Sequence, residues 1–269
     1  MPIQIEPRSA PIRTGCNNRS NAEINNKAVT DWLMQNQVND LAIYDTHADA
    51  WWDGSVHWLR TLHNMVPARL AYFDRYVDDW SGKRIIDIGC GGGFMAEALA
   101  KRSADVVGVD PSEGAIQAAR VHATSNNLSI EYEIGQAEYL EFEDEIFDIV
   151  VCVDVLEHVE SLEKTIRQIS RILKPDGLFL FDTINRNWLA KFLVITAAER
   201  IVGLLPRGAH DGNLFIKPGE LRKMFAETGL QTVNFAGLGP VGIDRKLDIR
   251  FGKVPLTLVQ YMGVARKAR

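Results

Sequence analysis

Arg84-Ile-Ile-Asp-Ile-Gly-Cys-Gly-Gly-Gly-Phe94, followed by Val106-Val-Gly-Val-Asp110, is the stretch that decides how this chain folds. An apolar run ends in glycines, a helix-like Met95-Ala96-Glu97-Ala98-Leu99-Ala100 follows, and the next apolar run ends in an acid. Strand, glycine turn, helix and second strand make a βαβ unit. Residues without a Cβ let backbone pass close to a ligand at the mouth of a strand and permit the positive φ that such a turn often needs. Asp110 lies about twenty residues beyond the turn, at the end of the second strand, where a carboxylate can accept from both hydroxyls of a ribose.

Two kinds of nucleoside cofactor make this demand. A nicotinamide dinucleotide normally asks for G-x-G-x-x-G, whose third glycine lets the helix N-terminus pack close with its dipole facing the pyrophosphate. Counted from Gly89, that third position is Phe94; counted from Gly91, it is Ala96, a residue that some dinucleotide sites accept. The broken pattern favours S-adenosylmethionine. Asp87 then orders the glycine loop, Gly89 and Gly91 admit the methionine portion, and Asp110 takes the ribose. A glycine turn with no ligand is the bland alternative, and the strand-to-helix context argues against it.

Outward from this unit, the chain alternates strand-like and helix-like segments from residue 83 onward. Strands are predicted at 83–88, 105–110, 129–134, 147–153, 177–183, 231–237 and 257–265. Helices are predicted at 94–102, 112–126, 161–173 and 218–228, with Gly177 and Gly229 as stop signals and Pro218 near a start. The fold class is therefore α/β: a doubly wound, mostly parallel seven-stranded sheet, Rossmann-like, covered by helices on both faces. Right-handed crossovers put the ligand at the carboxyl ends of the strands, near the topological switch point.

Residues 1–26 carry Pro2, Pro7 and Pro11 and a polar run without apolar periodicity, and read as a mobile tail. Residues 27–269 read as a single domain, in which 27–80 form an aromatic-rich helical cap over the cleft. Its aromatic side chains suit either ordinary core packing or a cover for a ligand. Residues 187–216 break the alternation as a helical insertion after the fifth strand. Within it, 187–206 are rich in large apolar residues but interrupted by Lys191, Glu199 and Arg200, which makes a poor transmembrane span. Two readings stay open: a lid that closes the site, or an amphipathic helix lying on a bilayer.

With 269 residues, 46% of them hydrophobic, the chain can bury one substantial core. A net charge of −5 gives no general case for nucleic-acid binding, which needs a basic footprint. Cys16, Cys90 and Cys152 are too few and too scattered for a disulfide framework, and the N-terminus shows no secretory pattern. A cytoplasmic location fits, with peripheral membrane contact through 187–206 left open.

The chain resembles class I S-adenosylmethionine-dependent methyltransferases, and more narrowly the ubiquinone-biosynthesis O-methyltransferases. The likeness runs from about Tyr44 to Lys267. Besides the glycine core, it rests on Trp51-Trp52-Asp53, Asn64-Met-Val-Pro-Ala-Arg-Leu70, Val153-Asp-Val-Leu-Glu-His158, Thr183-Ile-Asn-Arg-Asn187, His210-Asp211 and Phe215-Ile-Lys-Pro218. The resemblance implies an antiparallel last strand, Arg69 reaching the cofactor's carboxylate, and a backbone contact from Val153. It also implies that Gln136 and Ala137 lie near the adenine. The acceptor it implies is a catechol or phenolic hydroxyl of a prenylated quinone precursor, a small molecule whose tail favours uptake from lipid. A soluble phenolic natural product is a second reading. A noncatalytic, cofactor-binding scaffold within a quinone-synthesis complex is a third.

Transfer of a methyl group from a sulfonium asks the protein to position two reactants and remove a proton from the acceptor. A phenol, with a pKa of about 10, benefits from a base or a cation. Asp154, Glu157 and His158 follow the fourth strand, and on a helical turn they would share one face. They can hold a divalent cation, magnesium or manganese being favoured by oxygen-rich ligation, which would polarise the acceptor. The resemblance supports that role, although Asp154 stands where the family usually has glutamate. Alternatively, His158 is the general base, and one nitrogen cannot serve both roles. An Glu-His pair that merely packs the strand end is the bland reading. His210, beside Asp211, is the competing base.

Overall fold

The computed structural model describes residues 42–202 and 210–269. The tail expected at 1–26 and the start of the cap at 27–41 lie outside the described residues. In chain order the helices are α1 (Ala42–Thr46), α2 (His57–Phe73), α3 (Phe94–Ala100), α4 (Glu113–Ser125), α5 (Leu162–Ile172), α6 (Trp188–Lys191) and α7 (Pro218–Glu227). The strands are β1 (Arg84–Ile88), β2 (Asp105–Asp110), β3 (Ile130–Ile134), β4 (Phe147–Cys152), β5 (Leu173–Ile184), β6 (Leu230–Ile243), β7 (Ile249–Val254) and β8 (Gln260–Lys267).

They form one sheet in the order β3-β2-β1-β4-β5-β8-β6-β7. The five strands from β3 to β5 pair in parallel, and β8 enters antiparallel between β5 and β6. From β1 the chain winds outward through β2 to β3, then returns to β4 on the other side. A crevice therefore opens at the carboxyl ends of β1 and β4, the switch point of a doubly wound sheet.

Strand alternation sends successive side chains to opposite faces. Ile85, Val106, Ile149, Val151, Leu178 and Leu180 join one core with α2, α3 and α4. Ile86, Val107, Val150, Cys152, Phe179 and Phe181 join the other with α5 and α7. Helix starts are fixed locally: the side chains of Ser112, Ser161 and Asn187 accept from backbone N–H groups in the first turns of α4, α5 and α6.

The sheet has one strand more than the seven expected. β6 continues to Ile243 and turns back as β7, through Gly237, Gly239, Pro240 and Gly242, residues that read as strand breakers in sequence. The register shifts between Pro240 and Gly242, and such irregularities are where a strand tolerates proline and glycine. β5 likewise starts at Leu173, ahead of the Gly177 stop signal.

In the insertion, α6 runs on as π-helical turns over Phe192–Val202. Ala190 and Val194 pack with Ile184 and Phe215 in a small core of their own, while Trp188, Phe192 and Leu193 remain exposed. No helix among the described residues is long and apolar enough to cross a membrane.

Candidate active site

A cavity of about 430 Å³ opens at the switch point, lined among others by Gly89, Gly91, Asp110, Gln136, Val153 and His158. Gly89 and Gly91 have φ of +70° and +50°, the left-handed region that glycine enters without steric cost. A Cβ on Gly89 would sit 2.1 Å from Val155 Cγ2, and one on Gly91 would sit 2.5 Å from the Trp51 ring. The loop is bare because neighbouring side chains already lie against it.

Asp110 stands at the end of β2 and ties this loop down. Its Oδ2 accepts from Gly91 N at 2.8 Å and its Oδ1 from Ser112 N at 2.9 Å. Burial raises its pKa to about 6, against the lowering effect of those two hydrogen bonds. Asp87, fully buried beneath the loop, is pushed up to about 7 by burial and then by the charge of Asp110. Neither Asp87 oxygen has a hydrogen-bond partner of good geometry, and the buried indole Nε1 of Trp51 also has none.

At the ends of β4 and β5 the cavity is shaped by side chains. The buried Arg69 guanidinium of α2 donates through Nε to Asp182 Oδ2 at 2.5 Å and through Nη2 to Asp154 Oδ2. Asp182 Oδ1 in turn accepts from the backbone N of Asp154 at 2.8 Å, and Gln260 of β8 donates to Asp154 Oδ1 at 2.8 Å. Burial opposes the charge on Arg69, but the two carboxylates outweigh it and hold the guanidinium above its ordinary pKa.

The His158 ring lines the cavity, with the His210 ring 5.0 Å away, centroid to centroid, at 45°. Burial, then the neighbouring His210, lowers the His158 pKa to about 3. Asp211, next to His210 in the chain, accepts from Asn213 N at 2.8 Å and so caps a local turn. Gln136 and Ala137 line the cavity beyond β3, and Glu138 Oε1 accepts from Glu160 N at 2.7 Å.

Residues 86–181 match the methyltransferase domain family. The ubiquinone biosynthesis O-methyltransferase of Neisseria meningitidis serogroup A is 41% identical over 202 residues, which span 74% of this chain and 84% of that protein. The enzyme of the same name from Aliivibrio fischeri strain MJ11 is 38% identical over 210 residues, 76% of this chain and 89% of that one. The chain belongs to the ubiquinone biosynthesis O-methyltransferase family. It is an S-adenosylmethionine-dependent O-methyltransferase. Among solved structures, the magnesium protoporphyrin IX methyltransferase of Synechocystis PCC 6803 shares the fold. Its TM-score is 0.61 at 18% identity, over 90% of this chain and 100% of that one.

The cavity of this O-methyltransferase fits its cofactor. Gly89 and Gly91 line the cavity as a turn at positive φ, Asp110 offers a carboxylate for hydroxyl donors, and Trp51 Nε1, a buried donor with no hydrogen-bond partner, belongs to a residue that lines the same space.

A divalent cation does not fit the residues expected to hold it. The shared helical face does not exist, since Asp154 has a φ of +56° and only a single turn forms behind it at 156–158. Both Asp154 oxygens are engaged by Arg69 and Gln260. Glu157 points into the core, where Thr183 Oγ1 donates to its Oε2 at 2.7 Å. Burial, then the charge of Asp154, raises Glu157 to about 8, so it is largely protonated at neutral pH. Among the described residues, no group of three or more His, Cys, Asp or Glu side chains gathers as a metal site. A guanidinium occupies the place in the pattern that a metal ion was expected to fill.

Asp182 and Gln260 were missed in the sequence. Asp182 had a signal: it is the one acid within the apolar run Leu178-Phe-Leu-Phe-Asp-Thr-Ile184. Gln260 had none, because its role follows from β8 pairing with β5, where it stands opposite Ile184.

Proposed function

We propose that this enzyme methylates a phenolic hydroxyl of a catechol-type, prenylated quinone precursor, with His158 as the proton acceptor. The observation that supports the reading is that Asp110 and His158 line the same cavity, a carboxylate suited to a ribose and an imidazole suited to accept a proton. The names of the curated relatives point to the quinone pathway.

S-adenosylmethionine, when bound, supplies an electrophilic methyl group for in-line displacement. Asp110 accepts from the ribose, and Gly89, Gly91 and the backbone of Val153 leave room for the methionine portion. Asp87 lies buried beneath the loop, and Gln136 and Ala137 flank the adenine. Two Arg69 nitrogens are spent on Asp154 and Asp182, so its remaining N–H groups are the ones available to a cofactor carboxylate. His158 takes the phenolic proton as the oxygen attacks; burial keeps its imidazole unprotonated at neutral pH but also weakens it as a base, so positioning against the acceptor must offset that weakness. His210 packs behind it. The proton step is assigned to His158, which lines the cavity.

Helices α1 and α2 serve as the cap, and the described part of the insertion, residues 187–202 and 210–216, as a lid whose outer side contacts the bilayer. Trp188, 78% exposed, and Phe192, 52% exposed, support that contact, since an isolated prenyl tail is poorly accommodated by water.

Incubating the full chain with the cofactor and catechols of increasing prenyl length, with product detection by mass spectrometry, tests the acceptor. Methylated prenyl catechol is the expected product. Cofactor binding without product, or faster methylation of small water-soluble phenols, would overturn it. Trp188→Glu with Leu193→Glu should reduce co-sedimentation with phosphatidylglycerol-containing liposomes, and unchanged binding would remove the bilayer contact.

A further inference from the structure

Three aromatic side chains line the cavity beside the glycine loop: Tyr44, Trp51 and Phe94. Trp51 sits between the other two, its ring 6.1 Å from Tyr44 at 24° and 5.3 Å from Phe94 at 59°. Its indole lies directly on bare backbone, because a Cβ on Gly91 or Gly92 would come within 2.5 or 2.4 Å of it. The wall is braced from outside. Trp58 meets Trp51 edge-on at 6.4 Å, while His63 stacks on Phe94 at 4.6 Å and 12°. Trp52 meets Phe94 edge-on at 4.7 Å, and its Nε1 donates to the carbonyl of Gly92 at 2.8 Å, fastening the loop to the wall.

The rest of the lining gives this wall its meaning. Arg69 is the one lysine or arginine among the described lining residues, and its charge is met by Asp154 and Asp182. Asp45, Asp87, Asp110, Glu138 and Glu160 line the same space, so the acidic side chains of the lining outnumber its single basic one. Aromatic faces carry negative quadrupole charge and attract cations, with quaternary ammonium ligands as the familiar case. A sulfonium belongs to the same class of soft, poorly hydrated cation. Trp51 and Phe94 pack in the same core as Trp58, but unlike Trp58 they also present ring surface to the cavity, beside the acids that line it.

We propose that Trp51, with Tyr44 and Phe94, is a charge-discriminating wall that favours the methyl-bearing sulfonium over the neutral thioether left after transfer. The inference rests on the cavity being the cofactor site. Substrate and product differ there by one methyl group and one positive charge. A wall that responds to the charge loses part of its hold when the methyl departs, which speeds exchange of spent cofactor.

Calorimetric affinities for S-adenosylmethionine and S-adenosylhomocysteine, compared between wild type and Trp51→Leu, test this without any acceptor. The affinity ratio of charged to neutral form should fall by about 3- to 30-fold in the variant, while Trp51→Phe, which keeps a ring, should recover part of it. Sinefungin, which carries an ammonium in place of the sulfonium, should follow the charged form. An equal loss for both forms, or an unchanged ratio, would overturn the proposal and leave Trp51 a steric wall. If Trp51→Leu fails to fold, Phe94→Leu carries the same comparison. Failure of wild type to bind either form would instead remove the reading of the cavity itself.

Discussion

At the carboxyl ends of β1 and β2 the cavity is shaped by backbone, whereas at the ends of β4 and β5 it is shaped by side chains drawn from remote parts of the chain. The first half consists of two glycines at positive φ and an acid that accepts from their loop, all within 22 residues of one another. The second half consists of Arg69, Asp154, Asp182 and Gln260, whose hydrogen bonds span 113, 85, 28 and 106 residues. Backbone recognition leaves its mark locally in sequence. Side-chain recognition leaves its mark only once the sheet order is known.

Four substitutions can break or sharpen that contrast. The largest effect is expected from His158→Ala, which removes the proton acceptor while leaving the glycine half intact. Its kcat should fall about 10²- to 10⁴-fold in a steady-state assay, with cofactor affinity unchanged by calorimetry. A shift in cofactor affinity instead would show that the two halves are not separable. Next comes Asp182→Ala, which leaves the buried Arg69 short of a carboxylate and Asp154 N short of an acceptor. Breaking a buried ion pair from one side costs about 3–5 kcal/mol, to be read from the urea midpoint, and Asp182→Asn should recover part of it.

Gly91→Ala tests the backbone half. Positive φ and contact with Trp51 should weaken cofactor binding about 10- to 100-fold, with the far-ultraviolet circular dichroism of the fold retained. The smallest effect is expected for Glu157→Gln. With its pKa raised to about 8, Glu157 is largely neutral at pH 7, and glutamine mimics the protonated acid. Turnover should change less than about twofold and stability by about 1 kcal/mol or less. A collapse of activity would return Glu157 to the role of a metal ligand.

These residues also show why the sequence was readable in some places and opaque in others. The five parallel strands, the switch point and the glycine loop follow from apolar runs and turn residues, and they stand as predicted. The residues after β4 would share one face only on a helical turn, and Asp154 instead adopts a left-handed conformation. That conformation is held by the hydrogen bond from its own N–H to Asp182, which no local pattern reveals. The additional strand, β7, was hidden for the opposite reason. Its hairpin partner is punctuated by glycines and a proline that normally end strands, and here they sit at an irregular, exposed edge.

The placement of β8 carries a consequence for the order in which the protein is made. During synthesis, the glycine loop and Asp110 leave the ribosome some 150 residues before Gln260, which arrives on the strand that slots between β5 and β6. A nascent chain paused before that strand already has the cofactor half of its cleft, yet β5 and β6 still show open edges and Asp154 lacks its last partner. Completion of the cluster of Arg69, Asp154 and Asp182 is thus tied to completion of the sheet, because Gln260 is the last of its members to arrive.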